Sequence, residues 1–321
     1  MVELLENFSL REKKVLKKGT IHKIGLIGCG TMGQEIVRIV SQAGMEVIFI
    51  DTSDERIKDI FQNIDEQLDA VINRWGLTKS EKKSILSRIK GSVDYKDIHD
   101  CNIIIETIHS RRLGTSIVDR QEIFKKVESY VSEDTVIASN VSTLMISDLA
   151  SVLKHPERAV GLHFIYPANK TKLVEVAKGV KTSDEAYELV LKFAQLIGKS
   201  VIKVSESPGN ISTRLIVTLI NEACETLMEG VASVDSIDET MKMGFGMQFG
   251  PFELADQIGL DKMLKWMNNL YEEFGEHKFK PSPILKRLVR ANYTGISSGR
   301  GFYIYDKEDI KGVGIKLSEI K

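Results

Sequence analysis

The chain has 321 residues, 42% hydrophobic and 28% charged, the profile of a globular protein long enough for two domains. Its 44 basic and 45 acidic residues leave a formal net charge of −1, which argues against a nucleic-acid binder driven by phosphate neutralisation. Cys29, Cys101 and Cys224 are scattered with no CxxC pair, which suits a reducing cytoplasmic setting better than a disulfide framework or a zinc site, and no apolar run is long enough to span a bilayer.

Residues 1–20 are interrupted by charges throughout, lack the apolar core of a signal peptide, and read as an N-terminal extension. The apolar run Ile24–Ile27 then enters a turn built on Gly28, Gly30 and Gly33, and a helical pattern opens at Thr31 and Met32. A second apolar run, Val47–Ile50, ends on Asp51. Strand, glycine turn, helix, strand and terminal acid together predict a dinucleotide-binding unit. Gly28 permits the sharp turn, Gly30 lets the backbone approach a pyrophosphate, and Gly33 lets helix and strand pack closely. Free N–H groups at the helix start face the phosphates. Asp51 stands where a carboxylate would bind the ribose 2′-hydroxyl and repel a 2′-phosphate, so NAD is expected over NADP.

Next come a helix from Ser53–Asp54 to about Trp75–Gly76 and another over Lys79–Lys90, opened by Thr78. Strand signals recur at Asn102–Glu106, Thr135–Ala138, Ala159–Leu162, Leu173–Val176 and Ser200–Val204, with helices near Ile117–Tyr130 and Asp184–Ile197 between them. This alternation predicts an α/β fold with a Rossmann-type, doubly wound, mainly parallel sheet over residues 21–206. Past Pro208-Gly209 helical periodicity takes over at Ile211–Glu229, Val234–Lys242, Pro251–Ile258, Asp261–Phe274 and Pro283–Ala291, so residues 207–321 read as an all-α C-terminal domain with an apolar tail at Gly301–Tyr305.

Reaction chemistry must come from beyond the nucleotide unit. His163 follows a predicted strand, and Glu175 lies on the next strand-like segment, so neighbouring strands could bring carboxylate and imidazole together. Such a pair suits dehydrogenation: a neutral imidazole takes the hydroxyl proton as hydride leaves the carbon, and the carboxylate orients the ring. The competing reading makes His163 a structural histidine and Glu175 a surface carboxylate. His22, His99, His109, His155 and His277 have no metal-ligand spacing, so no metal is expected. Ser142 lacks the GxSxG surroundings of a hydrolase nucleophile. Trp75, Trp266 and the methionines Met241, Met243 and Met247 read as core or domain-interface packing.

From about Ile21 to Tyr305 the chain resembles the L-3-hydroxyacyl-CoA dehydrogenase family. The resemblance is carried, in the family's order, by Gly28-Cys-Gly-Thr-Met-Gly33, Ala138-Ser-Asn-Val-Ser-Thr-Leu144, Gly161-Leu-His-Phe-Ile-Tyr-Pro167, Lys172-Leu-Val-Glu-Val176, Ser207-Pro-Gly209, the Gly250-Pro-Phe-Glu-Leu254 block running to Asp261, and Ser298-Gly-Arg-Gly-Phe-Tyr-Ile-Tyr305. It implies an NAD cofactor, a short-chain 3-hydroxyacyl-CoA substrate, a helical domain that dimerises, and an active site in the cleft between domains. It also implies that His163 and Glu175 are the catalytic pair, that Ser142 holds the substrate oxygen, and that Glu106, Arg120 and Asn140 line the cofactor.

Departures from the family pattern are instructive. Tyr166 stands directly before Pro167 where the family carries Asn, and Thr213 replaces an active-site Asn before Arg214. A basic insert, residues 109–115, follows the strand ending at Glu106, and Arg120 takes the place of a family Lys. The stretch that would present lysines to CoA is acidic here, with Asp65, Glu66 and Asp69, leaving Arg74 as the obvious cation. Thr213, Tyr166 and Arg74 are therefore the candidate substrate contacts. Two other readings stay open: a dehydrogenase of a free 3-hydroxy acid or sugar acid, and a non-catalytic NAD-binding protein.

Overall fold

A computed structural model describes residues 20–74, 76–108, 116–306, 311–316 and 318. The N-terminal extension, Trp75 and the 109–115 insert, with His109, lie outside the described residues.

Eight strands form one sheet: β1 (Lys23–Ile27), β2 (Glu46–Ile50), β3 (Ile89–Ser92), β4 (Ile103–Glu106), β5 (Val136–Ser139), β6 (Ala159–Phe164), β7 (Leu173–Lys178) and β8 (Ser200–Ser205). Their spatial order is β3-β2-β1-β4-β5-β6-β7-β8. The first six run parallel in the order of a dinucleotide-binding sheet, whereas β7 turns back antiparallel to β6 and β8 follows β7 in parallel. The central strands are buried on both faces, which is why they read as unbroken apolar runs. Ile103 and Ile105 of β4 meet a core built with α1 (Thr31–Gln42), α2 (Asp54–Ile72) and α6 (Asp184–Leu196). Ile104 faces the opposite core, with α4 (Ser116–Glu128) and α5 (Ile146–Ala150). The helix α3 (Lys79–Leu86) opens on a capping box between Thr78 and Glu81. It stops four residues short of the expected Lys90, because Ile89–Ser92 leaves to pair with β2 as the sheet edge.

Beyond Gly209 a third core gathers α7 (Ser212–Met228), α8 (Val234–Glu239), α9 (Pro251–Ile258), α10 (Leu260–Phe274) and α11 (Pro283–Arg290). This part is not wholly helical: β9 (Tyr303–Tyr305) pairs antiparallel with β10 (Lys311–Gly314). Two buried carboxylates staple it. Asp256 accepts the amides of Phe302 and Tyr303 and the Tyr305 hydroxyl, each at 2.9 Å. Asp238 accepts the amides of Phe252 (2.8 Å) and Glu253 (2.9 Å) and the Tyr303 hydroxyl (3.0 Å). The Gly-Pro-Phe-Glu-Leu and Gly-Phe-Tyr-Ile-Tyr motifs thus have a structural task, pairing buried donors with buried acceptors. Met243 does not join this core. A π-helical turn over Thr240–Gly244 leaves it 79% exposed and Phe245 75% exposed.

Candidate active site

The parallel strands β1, β2, β4, β5 and β6 deliver their C-terminal ends to one edge of the sheet. The glycine turn, Asp51, Glu106, Asn140, Ser142 and His163 all sit at or just beyond those ends. This edge, at the reversal of strand order between β1 and β4, is where open α/β sheets bind ligands.

The turn after β1 has the shape of a phosphate cradle. Gly28 adopts φ 83°, and its amide donates to Ile50 O at 2.9 Å. Helix α1 starts with no side-chain cap, so its first amides point outward. A Cβ built on Gly33 would lie 2.7 Å from Gly28 O and 3.1 Å from Thr107 Oγ1, so only glycine lets α1 approach so closely. A Cβ on Gly30 would meet no heavy atom of the described residues within 4 Å beyond its chain neighbours. That open space beside an uncapped helix start fits a pyrophosphate. Asp51 spans the end of β2 and the turn, its Oδ2 accepting from Cys29 N (2.9 Å) and its Oδ1 from Thr52 N (2.8 Å).

Two expected cofactor residues pair with each other. Glu106 is fully buried; it forms an ion pair with Arg120 and accepts from Ile108 N at 2.7 Å and Ser139 Oγ at 2.6 Å. Arg120 also donates to Ile108 O at 2.8 Å. With its carboxylate so engaged, Glu106 acts as a brace under the cleft, holding the ends of β4 and β5 and the start of α4. Asn140 likewise has a structural bond, its Oδ1 accepting from Phe164 N at 2.7 Å, next to His163.

The antiparallel register of β6 and β7 sets His163 directly opposite Glu175. Both side chains are buried, and His163 Nδ1 lies 2.9 Å from Glu175 Oε2. A surface carboxylate is ruled out for residue 175. Its other oxygen, Oε1, accepts from the backbone amides of Ile211 (3.1 Å) and Ser212 (2.8 Å), and the Ser212 hydroxyl donates to Oε2 at 2.8 Å. Burial alone would raise this carboxyl; the bonds from His163 and from Ser212 outweigh it and hold Glu175 below the usual carboxylate range. With Nδ1–H given to an ionised carboxylate, neutral His163 keeps Nε2 as its acceptor.

Glu175 therefore touches the first residues of α7 in the helical part, and other contacts cross the same boundary. Gly209 N donates to Ser142 O at 2.6 Å, and Asn269 Nδ2 of α10 donates to Thr143 Oγ1 at 2.9 Å. Lys262, one turn into α10, has its ammonium 6.0 Å from the centre of the Tyr166 ring. Lys265 lies near enough to Arg120 that burial and that guanidinium lower its affinity for a proton. Ser212, Asn269, Lys262 and Lys265 were not singled out in the sequence. The helical spacing of 262, 265 and 269 is the signal that puts the last three on one face of α10.

The substrate candidates divide. Ser142 is buried in the loop after β5, and Tyr166 is half-buried beside the cleft. Thr213 is only 2% exposed, and the residue that bonds to the dyad is its neighbour Ser212. Arg74 is exposed in the turn after α2. Its acidic surroundings are partly neutralised, since Lys82 of α3 pairs with Asp65 and Asp69, each at 2.7 Å. Among the described residues no cluster of His, Cys, Asp or Glu could hold a metal ion.

Residues 23–207 match the NAD-binding domain of 3-hydroxyacyl-CoA dehydrogenase, and residues 209–305 match its C-terminal domain. The chain belongs to the 3-hydroxyacyl-CoA dehydrogenase family. As a member of that family it is an NAD-binding oxidoreductase. It is 37% identical to the 3-hydroxybutyryl-CoA dehydrogenase of Clostridioides difficile over 288 residues, covering 89% of this chain and all of the relative. The crystal structure of (S)-3-hydroxybutyryl-CoA dehydrogenase PaaH1 from Ralstonia eutropha superposes with a TM-score of 0.81 at 38% identity, covering 90% of this chain and all of the other. FadB2 of Mycobacterium tuberculosis superposes with a TM-score of 0.86 at 30% identity, covering 89% of this chain and all of that one.

Proposed function

We propose that this dehydrogenase oxidises the 3-hydroxyl of a short-chain 3-hydroxyacyl-CoA to the 3-oxo product, with His163 as the general base. The buried bond between His163 and Glu175 carries the reading. When bound, NAD accepts the hydride from C3 of the substrate. His163 Nε2 takes the hydroxyl proton as that hydride leaves, and Glu175 stabilises the imidazolium that forms. Ser142, in the loop between the dyad and the cofactor edge, holds the substrate oxygen. Gly28, Gly30, Gly33, Thr31 and Met32 cradle the pyrophosphate, and Asp51 accepts from the adenosine ribose. Thr213 helps position the substrate and the nicotinamide, with Tyr166 and Arg74 as further substrate contacts; Thr213 and Tyr166 stand where the family pattern has amides.

The names of the relatives support a CoA thioester over a free 3-hydroxy acid or sugar acid. The pairing of Lys82 with Asp65 and Asp69 also removes part of the objection that the acidic face raises against CoA. An intact dyad argues against a non-catalytic NAD-binding protein. NADH oxidation should be measured with acetoacetyl-CoA and with free 3-oxo acids, for the wild type and His163→Asn. Thioester reduction is expected, falling by on the order of 10²–10⁴ in kcat for the variant. Turnover of free acids only would reject the thioester, and a variant with near-normal kcat would remove His163 from the mechanism.

We place the division between the domains at residues 206 and 207. We also infer a homodimer through the helical part, where Leu215, Val231, Met243 and Phe245 expose apolar side chains. Among the described residues no helix is long and apolar enough to cross a membrane. The three cysteines are free and buried, in keeping with the reducing cytoplasm as the working compartment.

A further inference from the structure

Glu175 is held by more than its histidine. Ser212 grips both of its oxygens, the backbone amide on Oε1 and the hydroxyl on Oε2, the same oxygen that His163 Nδ1 reaches. The terminal torsion of a Glu side chain is soft, so with two amides on Oε1 and only the imidazole, itself a ring that can swing, on Oε2, the carboxylate and ring can rock together about the Oε1 end. The hydroxyl on the second oxygen removes this freedom. We propose that Ser212 is a positioning residue for the dyad: its hydroxyl fixes Oε2 of Glu175 in line with the imidazole and shares that oxygen's negative charge with it. This rests on the reading of His163 as the base.

The surroundings single out this hydroxyl. From β6 the group facing Glu175 is His163 itself, and from β8 the residue opposite is the apolar Ile202. From the start of α7 and the residue before it come Ser212 and Ile211 N. Arg214, the nearest cation along the helix, turns away: its guanidinium stacks 4.4 Å from the Phe274 ring centre and reaches Ser207 Oγ at 3.4 Å. The charge that the imidazolium meets is therefore set by how many donors share the carboxylate. Removing one donor has two consequences of different kind. The carboxylate becomes a stronger partner for the imidazolium, so the ring holds its proton to higher pH. It also becomes less well aimed, so the proton transfer itself slows.

The test is Ser212→Ala, which keeps both backbone amides, with Ser212→Thr restoring the hydroxyl and Ser212→Cys offering a weaker donor. The ring titration of His163 is followed by NMR in the NAD-loaded full chain, beside the pH profile of kcat/KM. In Ser212→Ala both midpoints should move up by about half a unit, since a hydrogen bond to a charged group spans one to two units and only part of it reaches the ring. The plateau kcat should fall roughly tenfold with KM little changed, the usual scale for losing a supporting partner. Ser212→Thr should restore both readings, and Ser212→Cys should give a smaller shift in the same direction even if the Ala variant folds poorly. Unmoved midpoints in Ala and Cys, or failure of Thr to restore them, would overturn the proposal. If the NMR midpoint moves while His163→Asn keeps its turnover, the positioning stands and the general-base assignment fails.

Discussion

Gly30→Ala separates a glycine kept for the fold from one kept for the cofactor. Gly30 has φ −73° and ψ −160°, which alanine adopts without strain, and the added methyl would meet nothing within 4 Å among the described residues. The apoprotein should therefore be unchanged, or more stable by up to about 1 kcal/mol through a less flexible unfolded chain. The same methyl would project into the space assigned to the pyrophosphate. Overpacking a filled site costs about 1–3 kcal/mol, so NAD should bind roughly 5- to 150-fold more weakly. Gly33→Ala is the contrasting case: its methyl would stand 2.7 Å from Gly28 O, so α1 or the turn must shift and the apoprotein should lose about 1–3 kcal/mol. Urea denaturation without cofactor and calorimetric titration with NAD measure the two effects separately. Wild-type NAD affinity in Gly30→Ala would refute the assignment of the cradle. A destabilised Gly30→Ala apoprotein would refute the claim of open space.

Asp51→Ala should abolish the preference for NAD over NADP. Because Cys29 N also loses its 2.9 Å acceptor, affinity for both cofactors should drop, and the ratio of the two dissociation constants is the quantity to read; an unchanged ratio removes Asp51 from ribose recognition. For the dimer, Leu215→Glu falls on a side chain 67% exposed in the protomer, so protomer stability should stay within about 0.5 kcal/mol. Sedimentation should show the wild type at twice 36.0 kDa and the variant at or near a single copy, and a monomeric wild type would dismiss the interface.

Features written in local pattern were legible in the sequence. The glycine turn, the caps at Ser53 and Thr78 and helix α9 are each specified by a few adjacent residues. The opposition of His163 and Glu175 was also legible, because sequential strands tend to be neighbours. What local pattern does not encode is direction. Nothing in Leu173–Lys178 says that β7 runs antiparallel to β6. Short elements were also lost: β3 has four residues with Gly91 among them and merged into the helix before it, and α5 has only five. Resemblance drew attention to Thr213 as a substrate contact, and its neighbour Ser212, whose hydroxyl bonds to Glu175, carried no signal of its own. The engagement of Glu106 with Arg120 and Ser139 depends on three separated segments, and only the folded chain brings them together.

The contacts around residues 205–212 explain why the site belongs to neither part alone. Glu206 accepts from Ser147 N (2.5 Å) and Ser147 Oγ (2.6 Å), which ties the connecting segment to the start of α5. Gly209 donates to Ser142 O, and the first amides of α7 donate to Glu175. A carboxylate at a helix start gains from the partial positive charge there, on the scale of about 0.3–2 kcal/mol. The residue taking that position is also the partner of His163, so one carboxylate both docks the helical part, through Oε1, and holds the imidazole, through Oε2. An ionised Glu175 satisfies both at once, and the donors from His163 and Ser212 hold it ionised against the penalty of burial. With His163 as the proposed base, a change that pulls α7 away from β7 is expected to slow proton transfer, even where no residue touching substrate has been altered.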